Sequence, residues 1–408
     1  MKPSILLIRS DARRKYPYVQ YIYDAILRYY DGAGKVVRIW SLAEGAKKNQ
    51  LQDPSVALWV IELPPTSNLS QISWLQQWQT IGLHRLIKKM QPGHVFYVGS
   101  NLPVLKSRNR DLTLPEKWLF IPELSCFDPD NAQNKTARTQ KADILRQAGQ
   151  MHQVFVYADT AIDTIKKALE VISLNGKAAT TDAGNQPAIN AWVPYPILSL
   201  LGQDEPLTPM SYEAKDAFKE AVTDGNEYFL MDGSYADQKG VIQYLKAFSH
   251  FKKWQKSAMR LILLISTSLN EDAGFKEMFA SYHFRKDVLL KPGVSLSITE
   301  RYEYLGAAYA LIEPSGREDH IGILLAAVAN GTLAAGVATP PAKALIGDGL
   351  FPLPGTTERE IGQIMIAGYK SEILRDRHIK AGLEMAVNYK AQTLGDWMAK
   401  FKGEKIVR

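Results

Sequence analysis

Short apolar runs recur along this chain at intervals that leave room for a helix between them, and the pattern breaks only once, near the middle. Before the break the runs are Ile5–Arg9, Val36–Trp40, Val56–Ile61, Val95–Val98, Trp118–Ile121 and Val154–Tyr157. After it come Tyr228–Met231, Leu261–Ile265, Val288–Leu290, Ala308–Ile312 and Leu333–Val337. Runs this short read as buried strands, and the segments between them carry their apolar residues at helical spacing. The helices so marked are Tyr18–Tyr30, Ile72–Met90, Asp159–Ile172, Gly240–Trp254, Gly274–Phe284, Asp319–Asn330 and Glu358–Gly368. Parallel strands need a long crossover between them, usually a helix, so this alternation predicts α/β architecture with parallel sheets.

The break is the small, polar stretch Gly176–Gly184, followed at short spacing by Pro187, Pro194, Pro196 and Pro206. Such a composition marks a segment between domains. It predicts one Rossmann-like domain over residues 1–185, a second over residues 206–390, and a basic helical tail over residues 391–408. A chain of 408 residues has the length for two such cores.

Other features narrow the setting. The lone cysteine, Cys126, excludes a disulfide framework within the chain and a metal site built on cysteine pairs, which points to a reducing, cytoplasmic compartment. Ile5–Ile8 is too short for a signal-peptide core and is soon followed by Arg9, Arg13 and Arg14, so it reads as the first strand. The stretch Ile321–Ala338 is broken by Asn330, Gly331 and Thr332, which makes it a helix plus a strand instead of a membrane span. The formal charge of +7 gathers at Arg13–Lys15, Lys88–Lys89, Lys106–Arg110 and Lys252–Lys256. Such clusters are solvated surface, or else they meet anionic headgroups at the inner face of a membrane or a phosphate-bearing acceptor. No nucleic-acid-binding module is visible, so nucleic acid is not an expected partner.

The richest stretch is Pro314–Gly331, PSGREDHIGILLAAVANG. Small residues and a tight turn lead from one apolar run into an apolar helix with a glycine exit, so that a ligand could meet the helix start. The stretch resembles the signature of retaining GT-B glycosyltransferases of the family 4 type, in which Pro-Ser is followed by a glutamate, seven residues and a second glutamate. Further pieces of the resemblance follow in order: YFLMDGSYADQKG at Tyr228–Gly240, KPGVS at Lys291–Ser295, RYEYLGAAYALIEPS at Arg301–Ser315, and ALIGDGLFPLPGTTEREIG at Ala344–Gly362.

The resemblance implies two Rossmann-like domains facing a cleft, a nucleotide-sugar donor, a glycan, lipid-linked or protein acceptor, and no essential metal. Residue by residue, it implies Glu318 beside the transferred sugar. Lys239, Gly240, Arg317, His320 and the amides near Ile321 and Gly322 would bind the donor. Each has a plainer reading. An acid such as Glu318 suits the first turn of a helix through the macrodipole alone. Lys239 and Gly240 also fit a surface helix start, Arg317 a solvent-facing charge, and His320 an incidental turn histidine. Trp74 and Trp78, one helical turn apart, fit a core better than a sugar-stacking platform.

The chain also departs from the family pattern. Ala326 stands at the second acid, Ser234 where an arginine is expected, Pro122–Glu123 where His-Asp is common, and the loop Ser10–Tyr18 lacks glycines. Two functional readings follow from this mixture. One is a glycosyltransferase with a degenerate donor site. The other is a non-catalytic GT-B scaffold, sugar-binding protein or assembly partner of active transferase subunits.

Overall fold

A computed structural model describes residues 5–9, 34–41, 57–63, 94–98, 116–121, 135–156, 159–174, 188–191, 208–234, 236–293, 296, 298–317 and 320–390. The helices expected at Tyr18–Tyr30 and Ile72–Met90 lie outside these residues. So do the Ser10–Tyr18 loop, Pro122–Glu123, Cys126, Glu318, the three amino-proximal basic clusters and the tail at 391–408. The chain divides into two compact units, Met1–Val193 and Pro194–Arg408.

Unit 1 contains β1 (Ile5–Arg9), β2 (Gly34–Ser41), β3 (Ala57–Leu63), β4 (His94–Val98), β5 (Glu116–Phe120), α1 (Lys135–Ala148), β6 (Gln153–Val156), α2 (Asp159–Leu174) and β7 (Ala188–Ala191). The strands form one sheet in the order β3-β2-β1-β4-β5-β6-β7, with every neighbouring pair parallel. Strand β7 continues this sheet past residue 185, pairing Val154 with Ile189. It lies within the proline-spaced stretch that reads as a linker. Helix α1 is polar over its first turns, and Ile144, Leu145 and Ala148 fasten its last turns to the core.

Unit 2 begins with α3 (Tyr212–Thr223), β8 (Tyr228–Gly233), α4 (Gln238–Trp254), β9 (Arg260–Ile265), α5 (Thr267–Glu271), α6 (Ala273–Ala280) and β10 (Val288–Pro292). It continues with α7 (Ile298–Gly306), β11 (Ala310–Glu313), α8 (Ile321–Ala329), β12 (Leu333–Val337), α9 (Pro340–Ile346), β13 (Leu350–Leu353), α10 (Glu358–Lys370) and α11 (Glu372–Lys390). The six strands run in the order β10-β9-β8-β11-β12-β13, again all parallel. Helices cover both faces of such a sheet, which is why β8 and β11 are buried at every residue and read as continuous apolar runs.

The helix starts are set by short polar side chains that accept backbone N–H groups left without a partner in the first turn. Ser211, Asp237, Ser266, Asp272 and Thr339 each do so. Thr357 forms a reciprocal box with Glu360 at the start of α10. One face of the sheet buries Phe229, Met231, Leu261 and Leu263 against Val241, Leu245 and Phe248 of α4 and Ile361 and Met365 of α10.

On the other face, all nine residues of α8 are buried. Helix α11 packs over α8, where a side chain at Gly382 would come within 2.9 Å of Val328 Cβ. A methyl group on Gly349 would fall 2.6 Å from the Gly382 Cα. The buried His378 ring fixes the same contact through Nδ1, 2.7 Å from the Asp348 carbonyl oxygen. Among the described residues, no helix is long and apolar enough to cross a membrane.

Candidate functional site

In an open parallel sheet, ligands meet the crevice outside the carboxyl ends of the strands where the strand order reverses. In unit 2 the chain works outward from β8 to β9 and β10, then returns to β11 on the other side of β8. The reversal therefore lies between β8 and β11. Both strands end there on an acid, Asp232 one residue before the end of β8 and Glu313 at the last residue of β11.

Asp232 is buried, with its side chain 2% exposed, and its Oδ2 lies 2.9 Å from Nη1 of Arg301 on α7. The Ser234 N–H donates to Asp232 Oδ1 at 3.0 Å. The Arg301 guanidinium also donates to the Gly293 carbonyl beyond β10, so one side chain ties together the loops after two strands. Burial alone would raise the Asp232 carboxyl. The Arg301 charge, the Ser234 hydrogen bonds and the more distant His320 outweigh it and hold the group below its ordinary range.

Glu313 organises the neighbouring loop. Its Oε1 accepts the Ser315 N–H at 2.8 Å, and its Oε2 lies 2.9 Å from His320 Nδ1. Ser315 Oγ approaches the same His320 nitrogen at 3.1 Å and accepts the Arg317 N–H at 3.2 Å. Gly316 closes the turn at φ 63°, a backbone shape that a side chain would strain. Because hydroxyl and carboxylate share one ring nitrogen, this is no serine–histidine–acid relay, which needs them on opposite nitrogens. Tyr244 of α4 is buried nearby. Its phenol is pushed well above its usual range by burial first, then by the Glu313 and Asp232 charges.

The structure thus places the residues singled out in the sequence in three settings. His320 is at the heart of the loop, buried, and Arg317 is half-buried beside it. Ile321 and Gly322 open α8 with their side-chain positions in the core, and no side chain caps that helix, because the His320 ring turns to Glu313 and Ser315. Lys239 is exposed on the first turn of α4, lining an open depression of about 660 Å³ with Asp237, Gln243, Lys246 and Glu358. The Gly240 amide is already engaged, donating to Asp237 Oδ1 at 2.8 Å.

Two positions where the family resemblance expects charge are closed. Ser234 is 2% exposed, and its Oγ lies 1.9 Å from where a methyl group on Gly293 would sit. Ala326 is likewise 2% exposed within the buried α8. An arginine or a glutamate introduced at these positions would have to displace packed atoms. Sequence reasoning missed Asp232, Arg301, Glu313 and Tyr244. The one available signal was an acid ending each of two apolar strands.

No protein-family model matches the sequence, and no curated protein is detectably similar to it. In three dimensions the similarity spans nearly the whole chain. HepE from Anabaena, in complex with UDP and glucose, matches with a TM-score of 0.65 at 10% identity over 98% of this chain and 99% of its own. Sucrose-phosphate synthase from Thermosynechococcus elongatus gives 0.65 at 10% identity over 98% of each chain. WaaG, a glycosyltransferase involved in lipopolysaccharide biosynthesis, gives 0.61 at 13% identity over 98% of this chain and 99% of its own. The architecture is therefore that of the GT-B glycosyltransferases, an α/β fold with two parallel, Rossmann-like sheets. At such identities it is the fold that is shared.

Proposed function

We propose that the chain is a nucleotide-sugar-dependent glycosyltransferase of the retaining, family 4 type with a reduced donor site, moving a hexose from a UDP-sugar to a glycan, lipid-linked or protein acceptor. The observation that carries this reading is the buried polar constellation of Asp232, Arg301, Glu313, Ser315 and His320 at the switch point of unit 2. A core with no ligand to position gains little from burying two carboxylates, since desolvating them is costly even when they are paired. The HepE complex with UDP and glucose, on the same fold, supports a uridine diphosphate donor.

Chemically, transfer needs stabilisation of the diphosphate, where negative charge grows as the glycosidic bond breaks. Lys239 and Arg317 are the cations offered to it, and Glu318 is the acid assigned to the sugar. His320, held by Glu313, fixes the turn that carries Arg317. No step calls for a metal.

A second, non-catalytic reading is favoured by Asp237. Its carboxylate takes the Gly240 N–H that a phosphate would otherwise use and places a negative charge at that helix start. Calorimetric titration with UDP, UDP-glucose and GDP, followed by an assay for UDP release, separates the readings. Transferase function requires UDP and UDP-glucose to bind more tightly than GDP, with Lys239→Ala weakening both by roughly tenfold or more. Binding without any release of UDP would leave the sugar-binding reading. The absence of binding by every nucleotide would overturn the transferase reading and leave the non-catalytic scaffold, in which Asp237 closes the phosphate position.

A further inference from the structure

The basic run Lys252–Lys256 is not absorbed by the donor site. It lies at the carboxyl end of α4, at the opposite edge of the sheet, where β9 and β10 begin. Lys252 is spent internally. Its side chain is 8% exposed, with Nζ 3.0 Å from Asp287 Oδ2 and 2.7 Å from the Ser257 carbonyl oxygen.

The rest of the run faces outward. Lys253 and Lys256 are exposed, and between them Trp254 is 71% exposed, its ring only tilted against His250 at 6.3 Å. The neighbouring turn adds Arg285 and Lys286, both exposed. Arg260 is held there through the Lys286 carbonyl and Asp287. The local acid, Asp287, is shared between Lys252 and Arg260. Glu227, next along this edge, is 2.8 Å from Lys219. Lys219 is shared with Asp216 and Asp224 is exposed before β8, so the outward positive charge belongs to the β9–β10 end of this edge, where Asp287 is already held by two cations.

We infer that this amino-terminal edge of unit 2 docks on an anionic lipid surface. Lys253, Lys256, Arg285 and Lys286 would meet headgroups, and Trp254 would enter the interfacial layer. An exposed indole is poorly placed in bulk water but well placed at the headgroup level, where its apolar body is buried and its N–H stays wet. Lysines beside it add long-range attraction to an anionic leaflet. The contact is with the membrane surface. Because this edge is opposite the strand ends that carry the candidate site, docking leaves that site accessible and does not depend on the donor-binding reading.

The test is co-sedimentation of the full chain with phosphatidylcholine vesicles, with and without phosphatidylglycerol, over a salt series. Binding is expected only to the anionic vesicles and should weaken as salt rises. Neutralising each lysine should cost roughly fivefold, so Lys253→Gln/Lys256→Gln together should lower partitioning by about thirtyfold. Trp254→Ser should lower it further without changing the salt dependence. Lys343→Glu, an exposed charge on α9, should leave it unaltered. Equal binding to neutral vesicles, or anionic binding indifferent to the Lys253, Lys256 and Trp254 changes, would overturn the inference. Tight binding to heparin or duplex DNA with no vesicle binding would also overturn it, showing a general polyanion surface.

Discussion

Replacing Arg301 by methionine offers the sharpest test of the switch-point constellation, because the effect should change with pH in a direction that burial alone fixes. The substitution keeps much of the side-chain volume but leaves the Asp232 carboxylate, 2% exposed, without its cation. Breaking a buried pair from one side costs about 3–5 kcal/mol at neutral pH. In the native protein the folded Asp232 carboxyl lies below its ordinary value of 3.8. Its contribution to stability is therefore complete above pH 3.8 and is lost only as pH falls further, through the folded value.

Without Arg301 the largest remaining influence is burial, which pushes the folded value up against the Ser234 hydrogen bonds and His320. The penalty then applies at neutral pH and fades as the carboxyl takes up a proton. The stability gap between native and variant should thus be widest near neutrality and shrink towards pH 4. Urea titration read by hydrogen exchange in peptides spanning β8 and α7 isolates unit 2 from unit 1. A gap below about 1 kcal/mol at neutral pH, or one that does not narrow on acidification, would refute the argument and make the pair a marginal surface-like contact.

Three further outcomes are expected. Ala326→Glu places a carboxylate in a helix with no exposed residue and should destabilise unit 2 by several kcal/mol, roughly the cost of an unpaired buried polar group or more, instead of improving nucleotide affinity; a stable variant with tighter UDP binding in calorimetry would contradict the packing described. Asp237→Asn keeps the cap on α4 but removes its negative charge, so it should change stability by only a few tenths of a kcal/mol while tightening any phosphate contact at Lys239; unchanged UDP affinity would place the diphosphate elsewhere. Gly293→Ala should cost about 1–3 kcal/mol through overlap with Ser234, and Ser234→Gly in the same chain should recover part of it, since Leu264 Cβ also lies 2.9 Å from the added methyl; thermal melts showing simple additivity would show that the two loops do not touch.

Much of the fold was legible because parallel strands are buried on both faces. Such strands are unbroken apolar runs, and β1 and β12 begin and end where the sequence places them, at Ile5–Arg9 and Leu333–Val337. Strand β7 was not legible. Its AINA sequence is short, carries an asparagine, and is a strand only because β6 supplies a partner. Helix α3 was missed for a related reason, since half of its residues are exposed and its start depends on the Ser211 cap.

Within the candidate site, the Pro314–His320 turn could be read from local composition, but its internal bonding could not. The Arg301–Asp232 pair joins residues far apart in sequence, and no local pattern announces such a pair. Lys239 was recognisable as the start of a helix, whereas the capture of the Gly240 amide by Asp237 depends on backbone geometry that composition does not specify.

The complete burial of α8 has a mechanical consequence. A helix with one face in solvent can slide or roll by exchanging contacts with water. This one is enclosed on all sides, by the sheet, by α9, and by α11 through the close approach at Gly382 and Val328. Close-packed interiors do not yield by small continuous displacements. Helix α8 therefore acts as a fixed post, and any rearrangement that a ligand demands at its start falls on the turn Pro314–Arg317 that precedes it. Gly316 is the point in that segment with the backbone freedom to absorb it.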